Sequence, residues 1–158
     1  MHKYIFAILL VLGAAAAVRA ETGSSPAGDS LTVWAPITVE VAGLRNGRGD
    51  VKMALFQTQF GFPDKSEKAF RRLIVKIPEK GKVLGEFADV PPGEYGLGVI
   101  HDENQNGRVD ANFFGLPTEG VGFSNNAMGR FGPPPFEDAR FKHGLEKQKL
   151  TIRMVYLL

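Results

Sequence analysis

The 158-residue chain contains no cysteine. That excludes a disulfide framework, thiol catalysis and any thiolate-held metal, and leaves the hydrophobic core to carry the fold. Histidine is scarce too. His2 lies in the N-terminal stretch, and only His101 and His143 follow it, too few for a three-histidine metal centre. There is also little charge of one sign. The formal net charge is +2, supplied by Lys3 and Arg19 in an N-terminal stretch without acids, and the rest holds 17 basic and 17 acidic residues. Such a balance gives no overall field to draw nucleic acid or an anionic membrane. Outside residues 4–18, no apolar run approaches membrane-spanning length.

What is present begins with that apolar stretch. It ends in Val18-Arg19-Ala20 before the polar Glu21-Thr22-Gly23-Ser24-Ser25, the pattern of a cleaved secretory signal over residues 1–20. Residues 21–33 read as a flexible linker and 34–158 as one domain, large enough to bury a core. The expectation is a secreted, periplasmic monomer without a membrane span after cleavage.

Within the domain the dominant signal is alternation. Ile37, Val39 and Val41 alternate with polar or small residues, as do Val51, Met53 and Leu55 up to Phe56, with the Asn46-Gly47-Arg48-Gly49-Asp50 turn cluster between them. These two strands read as a β-hairpin. Further strands are expected at 72–77, 83–87, 95–100, 139–142 and 150–156, and one helical turn near Ser66-Glu67-Lys68. Pro91-Pro92-Gly93 forms a rigid corner before Tyr95, whose ring is expected inside with its hydroxyl on a nearby backbone group. Short strands parted by Gly and Pro turns, with no long helix, indicate an all-β antiparallel sandwich.

The segment from His101 to Asp110 carries the chemistry. Asp102, Asn104 and Asn106 place oxygens at alternate positions, Gly107 supplies the turn, and Asp110 follows three residues on. Calcium takes six to eight oxygen ligands from such loops, here with the Arg108 backbone carbonyl and with Glu119 returning from the Gly115-to-Gly120 turn. A helix-loop-helix site is excluded, because its twelfth position is Phe113 rather than glutamate and Pro117 blocks an exiting helix. The same residues are also good turn formers on their own, since Asp and Asn bond nearby backbone.

Residues 102–136 show little regular pattern, and loops that long are seldom idle. Six of the twelve phenylalanines fall between Phe113 and Phe141. They read either as a satellite core pinning the loop or as an aromatic groove, with Phe113, Phe114, Phe123, Ser124, Asn125 and Asn126 as ligand-binding candidates. No catalytic set is evident. Gly122-Phe123-Ser124-Asn125-Asn126 lacks the second glycine of a nucleophile elbow. Zinc at His101, Asp102 and Glu119, or a glycosidase pair of Glu119 with Asp102 or Asp110, remain as alternatives.

The ordered motifs Pro91-Pro92-Gly93-Glu94-Tyr95, His101 through Asp110, Phe114-Gly115-Leu116-Pro117-Thr118-Glu119-Gly120, Gly122-Phe123-Ser124-Asn125-Asn126-Ala127 and Phe131-Gly132-Pro133-Pro134-Pro135-Phe136 resemble the secreted bacterial family called domain of unknown function 2141. The Pro-Pro-Gly-x-Tyr corner is similar to that of transthyretin-like and carboxypeptidase regulatory-like sandwiches. The Asp-x-Asn-x-Asn-Gly loop resembles calcium loops of adhesin β-sandwich modules, where the cation is structural. The resemblance implies an immunoglobulin-like or transthyretin-like sandwich with a long ordered loop region, but no activity. The expected role is accessory binding or structural interaction with an envelope or extracellular ligand, with calcium as the only cofactor; a hydrolase of envelope polysaccharide or peptide is the alternative.

Overall fold

The alternating segments form strands close to where the pattern places them, although Ala139 closes a short helix where a strand is expected to start and the last strand ends at Arg153 rather than at 156. The structure, a computed structural model, describes residues 33–79, 82–113, 115–130 and 132–157, so the expected leader and nearly all of the linker lie outside it. Its strands are β1 Ile37–Ala42, β2 Asp50–Phe56, β3 Arg71–Lys76, β4 Val83–Phe87, β5 Gly93–Asp102, β6 Gly120–Phe123, β7 Phe141–His143 and β8 Gln148–Arg153, with one short helix, α1 Phe136–Ala139. Ser66–Lys68 is a single 3-10 turn, as expected. Among the described residues no helix is long and apolar enough to cross a membrane.

The strands make two sheets, ordered β4-β1-β8 and β3-β2-β5-β6, with β7 also on β5. A bridge between Val121 and Val155 links β6 to the chain just past β8. Period-two spacing turns Ile37, Val39, Val41, Val83, Phe87 and Ile152 of the first sheet into one apolar cluster with Val51, Met53, Leu55, Tyr95, Leu97 and Val99 of the second. Each such side chain contributes about 1.5–3 kcal/mol by leaving water, the main source of stability without disulfides.

The expected β1–β2 hairpin is not formed. β1 lies between β4 and β8, whereas β2 lies between β3 and β5. The connection from Gly43 to Gly49 exceeds the 2–5 residues of ordinary hairpin loops and crosses between sheets instead. The all-antiparallel expectation also fails at one pair, because β8 runs parallel to β1. Alternation reveals which face is buried and carries no information on a neighbour's direction. Within the stretch read as irregular, β6 is a true strand. Its Gly120 and Gly122 hid it, yet added Cβ atoms there would collide with the Tyr156 ring and Ile152 Cγ2, so glycine is what lets β6 approach the C-terminal segment.

Tyr95 is fully buried, and its hydroxyl donates to the Pro91 carbonyl oxygen at 2.8 Å, fixing the corner into β5. That corner aims the far end of β5 at the Asp102 loop.

Candidate functional site

β5 ends at Asp102, so the first residue of the oxygen-rich motif is still held in a sheet. Its carboxylate is fully buried and takes the ammonium of Lys52, from β2, on Oδ2. The Gly107 N–H donates to the same oxygen at 2.8 Å and the Asn106 N–H to Oδ1 at 3.1 Å. Burial alone would raise the Asp102 pKa, but Lys52 and these two N–H groups outweigh it and hold the group ionised below its usual range. Gly107, at φ +84°, supplies the left-handed turn that brings its N–H back to Asp102.

The loop then closes by side chain on backbone. Asn104 Oδ1 accepts from Asn106 N–H at 3.0 Å, and Asn106 Oδ1 from Arg108 N–H at 2.8 Å. The two amide nitrogens both donate to Asp110, at 2.6 Å from Asn104 and 2.8 Å from Asn106. Glu119, buried just before β6, accepts Glu103 N–H at 2.9 Å and Asp110 N–H at 3.2 Å. One carboxylate thus ties the two ends of the loop together. Asp102, Asn104, Asn106, Asp110 and Glu119 therefore belong to one network, with the Arg108 backbone inside it. Among the described residues, no three His, Asp or Glu side chains cluster as a metal group by themselves. The oxygens offered here are shared between carboxylates and asparagine amides.

Glu103 points away from this network. It accepts from Asn46 Nδ2 at 2.8 Å, Arg45 Nε at 2.7 Å and Arg48 at 2.8 Å. Burial works against its charge, but these donors prevail and its pKa is lowered to about 2. His101 stands behind them, fully buried, with Nε2–H donating to the Arg48 carbonyl oxygen and Nδ1 accepting from the Tyr156 hydroxyl, both at 2.7 Å. Tyr156 in turn accepts the Arg45 N–H at 3.1 Å and carries the Arg45 guanidinium over its ring. Both His101 nitrogens are thereby engaged away from Asp102 and Glu119. Sequence reasoning missed Lys52, Arg45, Arg48, Asn46 and Tyr156. Lys52 sits diagonal to Asp102 across β2 and β5, a neighbour visible only once the register is known.

The ligand-binding candidates separate. Phe123 is buried in a ring cluster centred on Phe62, which meets Phe56 at 5.3 Å, Phe136 at 5.5 Å and Phe123 at 6.1 Å. Ser124 is fully buried, accepting Leu97 N–H at 2.9 Å and donating to the Ala139 carbonyl oxygen. Asn125 donates to the Asp138 and Arg140 carbonyls, and Asn126 accepts from Arg153 N–H. These residues fasten β6 to β5, α1 and β8. Phe114 lies outside the described residues, and Phe113 is 97% exposed. An open hollow of about 510 Å³ lined by Lys142, Leu145, Lys147 and Gln148 lies between β7 and β8.

The model of a family described as "Uncharacterized protein conserved in bacteria (DUF2141)" matches residues 39–151. The chain belongs to this family. The matched DUF2141 span runs from β1 into β8 and contains the whole 102–119 loop. Comparison with curated proteins and with solved structures gives no match.

Proposed function

We propose that this DUF2141 chain is a secreted, periplasmic and monomeric accessory domain, a non-catalytic β-sandwich of the transthyretin-like kind whose working surface is the ordered 102–119 loop, and that the loop responds to calcium. The leader-like N-terminus supports secretion, and the shared core of the two sheets with the Tyr95 corner supports the sandwich. The observation that carries the loop reading is its charge balance. Asp102, Asp110 and Glu119 are joined in one network that includes a single ammonium, Lys52, while Glu103 is answered separately by Arg45 and Arg48.

Calcium would use Asp102, Asp110, the Asn104 and Asn106 amide oxygens and the Arg108 carbonyl, with Glu119 holding the loop ends. Lys52 competes for the same carboxylate, which favours a weak site of the extracellular kind, with a dissociation constant of roughly 0.1–1 mM. The hydrolase alternative, a loop-borne pair of Glu119 with Asp102 or Asp110, has less to draw on, because these carboxylates already accept from Lys52, the asparagine amides and backbone N–H groups of the loop.

Thermal melting in calcium and in chelator tests the proposal. At about 1 mM calcium and a constant near 0.1 mM, mass action adds roughly 1.4 kcal/mol, a shift of several degrees. Asp110→Ala should remove the shift, and identical melts of the wild-type protein in both conditions would refute it.

A further inference from the structure

We propose that Asn46 is a self-modifying residue, losing its side-chain amide through attack by the Gly47 backbone nitrogen, whereas the same Asn-Gly-Arg sequence at 106–108 is protected by Asp102. The reaction needs no calcium and stands apart from the proposed binding role of the loop.

Asn-Gly is the pair most open to this chemistry, because glycine has no side chain to keep its nitrogen from the preceding amide. The chain holds two such pairs, each followed by arginine. Their turns are built alike. Asn46 Oδ1 accepts the Arg48 N–H at 2.9 Å and Asn106 Oδ1 accepts the Arg108 N–H at 2.8 Å, which polarises in each the carbonyl that becomes an oxyanion under attack. Each amide nitrogen donates to a carboxylate at 2.8 Å, Glu103 for Asn46 and Asp110 for Asn106.

The two turns differ in the nucleophile. The Gly107 N–H is held by Oδ2 of the fully buried Asp102 at 2.8 Å, and the Asn106 N–H by Oδ1 of the same side chain at 3.1 Å. Gly47 is exposed, and its N–H makes no hydrogen bond among the described residues. A Cβ built on it would meet only Ile77 Cγ2, at 3.9 Å. Its nitrogen therefore has room to turn onto Asn46 Cγ. A bond forms between these two atoms as the bond from Cγ to Nδ2 breaks; Nδ2 leaves as ammonia with the Gly47 proton, and water opens the resulting succinimide to aspartate or isoaspartate.

The product bears on the loop, because Asn46 Nδ2 is one of the donors that hold Glu103, whose side chain is 8% exposed. A carboxylate at position 46 removes that donor and sets a second negative charge against Glu103. The crossing from β1 to β2 then loosens from the end of β5.

The test follows both asparagines in the same full-length chain, incubated folded at neutral pH in chelator and sampled over time by chymotryptic peptide mapping. Residues 43–50 and 103–110 serve as free reference peptides, which should convert at similar rates. In the protein, Asn46 should convert at least about tenfold faster than Asn106, whose turn must first open to release the Gly107 nitrogen. Asn46→Asp, which reproduces one product, should lower the melting temperature by several degrees. Equal conversion at the two sites, or an Asn46 that stays intact while its free peptide converts, overturns the proposal. An Asn46→Asp variant as stable as the wild type overturns the consequence for Glu103.

Discussion

Lys52→Met probes the loop at its most loaded point. Asp102 is fully buried and Lys52 is 22% exposed, so methionine keeps most of the stem and removes the charge. Breaking a fully buried ion pair costs about 3–5 kcal/mol because the remaining charge is stranded. Here the Lys52 end reaches solvent and Asp102 keeps the N–H groups of Asn106 and Gly107, which reduces the expected loss to about 2 kcal/mol. In a domain of this size that lowers the melting temperature by roughly 8 °C. The loss depends on pH in one direction. Asp102 has a lowered pKa in the folded protein, so its contribution is present above the ordinary carboxylate value of 3.8 and fades as pH falls through the folded pKa. Urea denaturation of both proteins from pH 7 to pH 3 should therefore show a gap that narrows with acid. Removing the competing ammonium should also tighten calcium binding, so millimolar calcium should restore part of the lost stability. A neutral substitution, or a gap of the same size at every pH, would refute this account of Asp102.

Tyr95→Phe should cost about 1 kcal/mol in urea, because only the hydrogen bond to Pro91 is lost while the ring stays packed; unchanged stability would mean the corner bond contributes nothing. Glu103→Gln should cost about 1 kcal/mol at pH 7, since its partner Arg48 is largely solvated and Arg45 partly so. That deficit should be complete above the ordinary value of 4.5 and vanish as pH falls to about 2, where Glu103 itself becomes neutral in the folded state. A melting comparison across that range checks it, with a constant deficit as the contrary result.

Most of the strands were legible because burial imposes period two, and Val83–Phe87 was read to the residue. Their partners were not. The connection between β1 and β2 looked like a hairpin turn, but Arg45, Asn46 and Arg48 in it bind Glu103 just past the end of β5, a tertiary interaction that local turn chemistry cannot reveal. β6 was invisible because its glycines answer to Tyr156 and Ile152, distant in sequence. In the loop, the alternating oxygens of Asp102, Asn104 and Asn106 were legible because an Asx turn is local. Lys52 was not, since a cross-strand neighbour follows from register alone.

Hydrogen exchange at single-residue resolution tests most directly the proposal that the loop is latched and responds to calcium. The amides of Glu103 and Asp110, bonded to Glu119, and those of Asn106, Gly107 and Arg108, bonded to Asp102, Asn104 and Asn106, have side-chain oxygens as acceptors. The account predicts that all five exchange at least about tenfold slower than in an unstructured chain, and that millimolar calcium slows them further. Exchange at unstructured rates, indifferent to calcium, would contradict it.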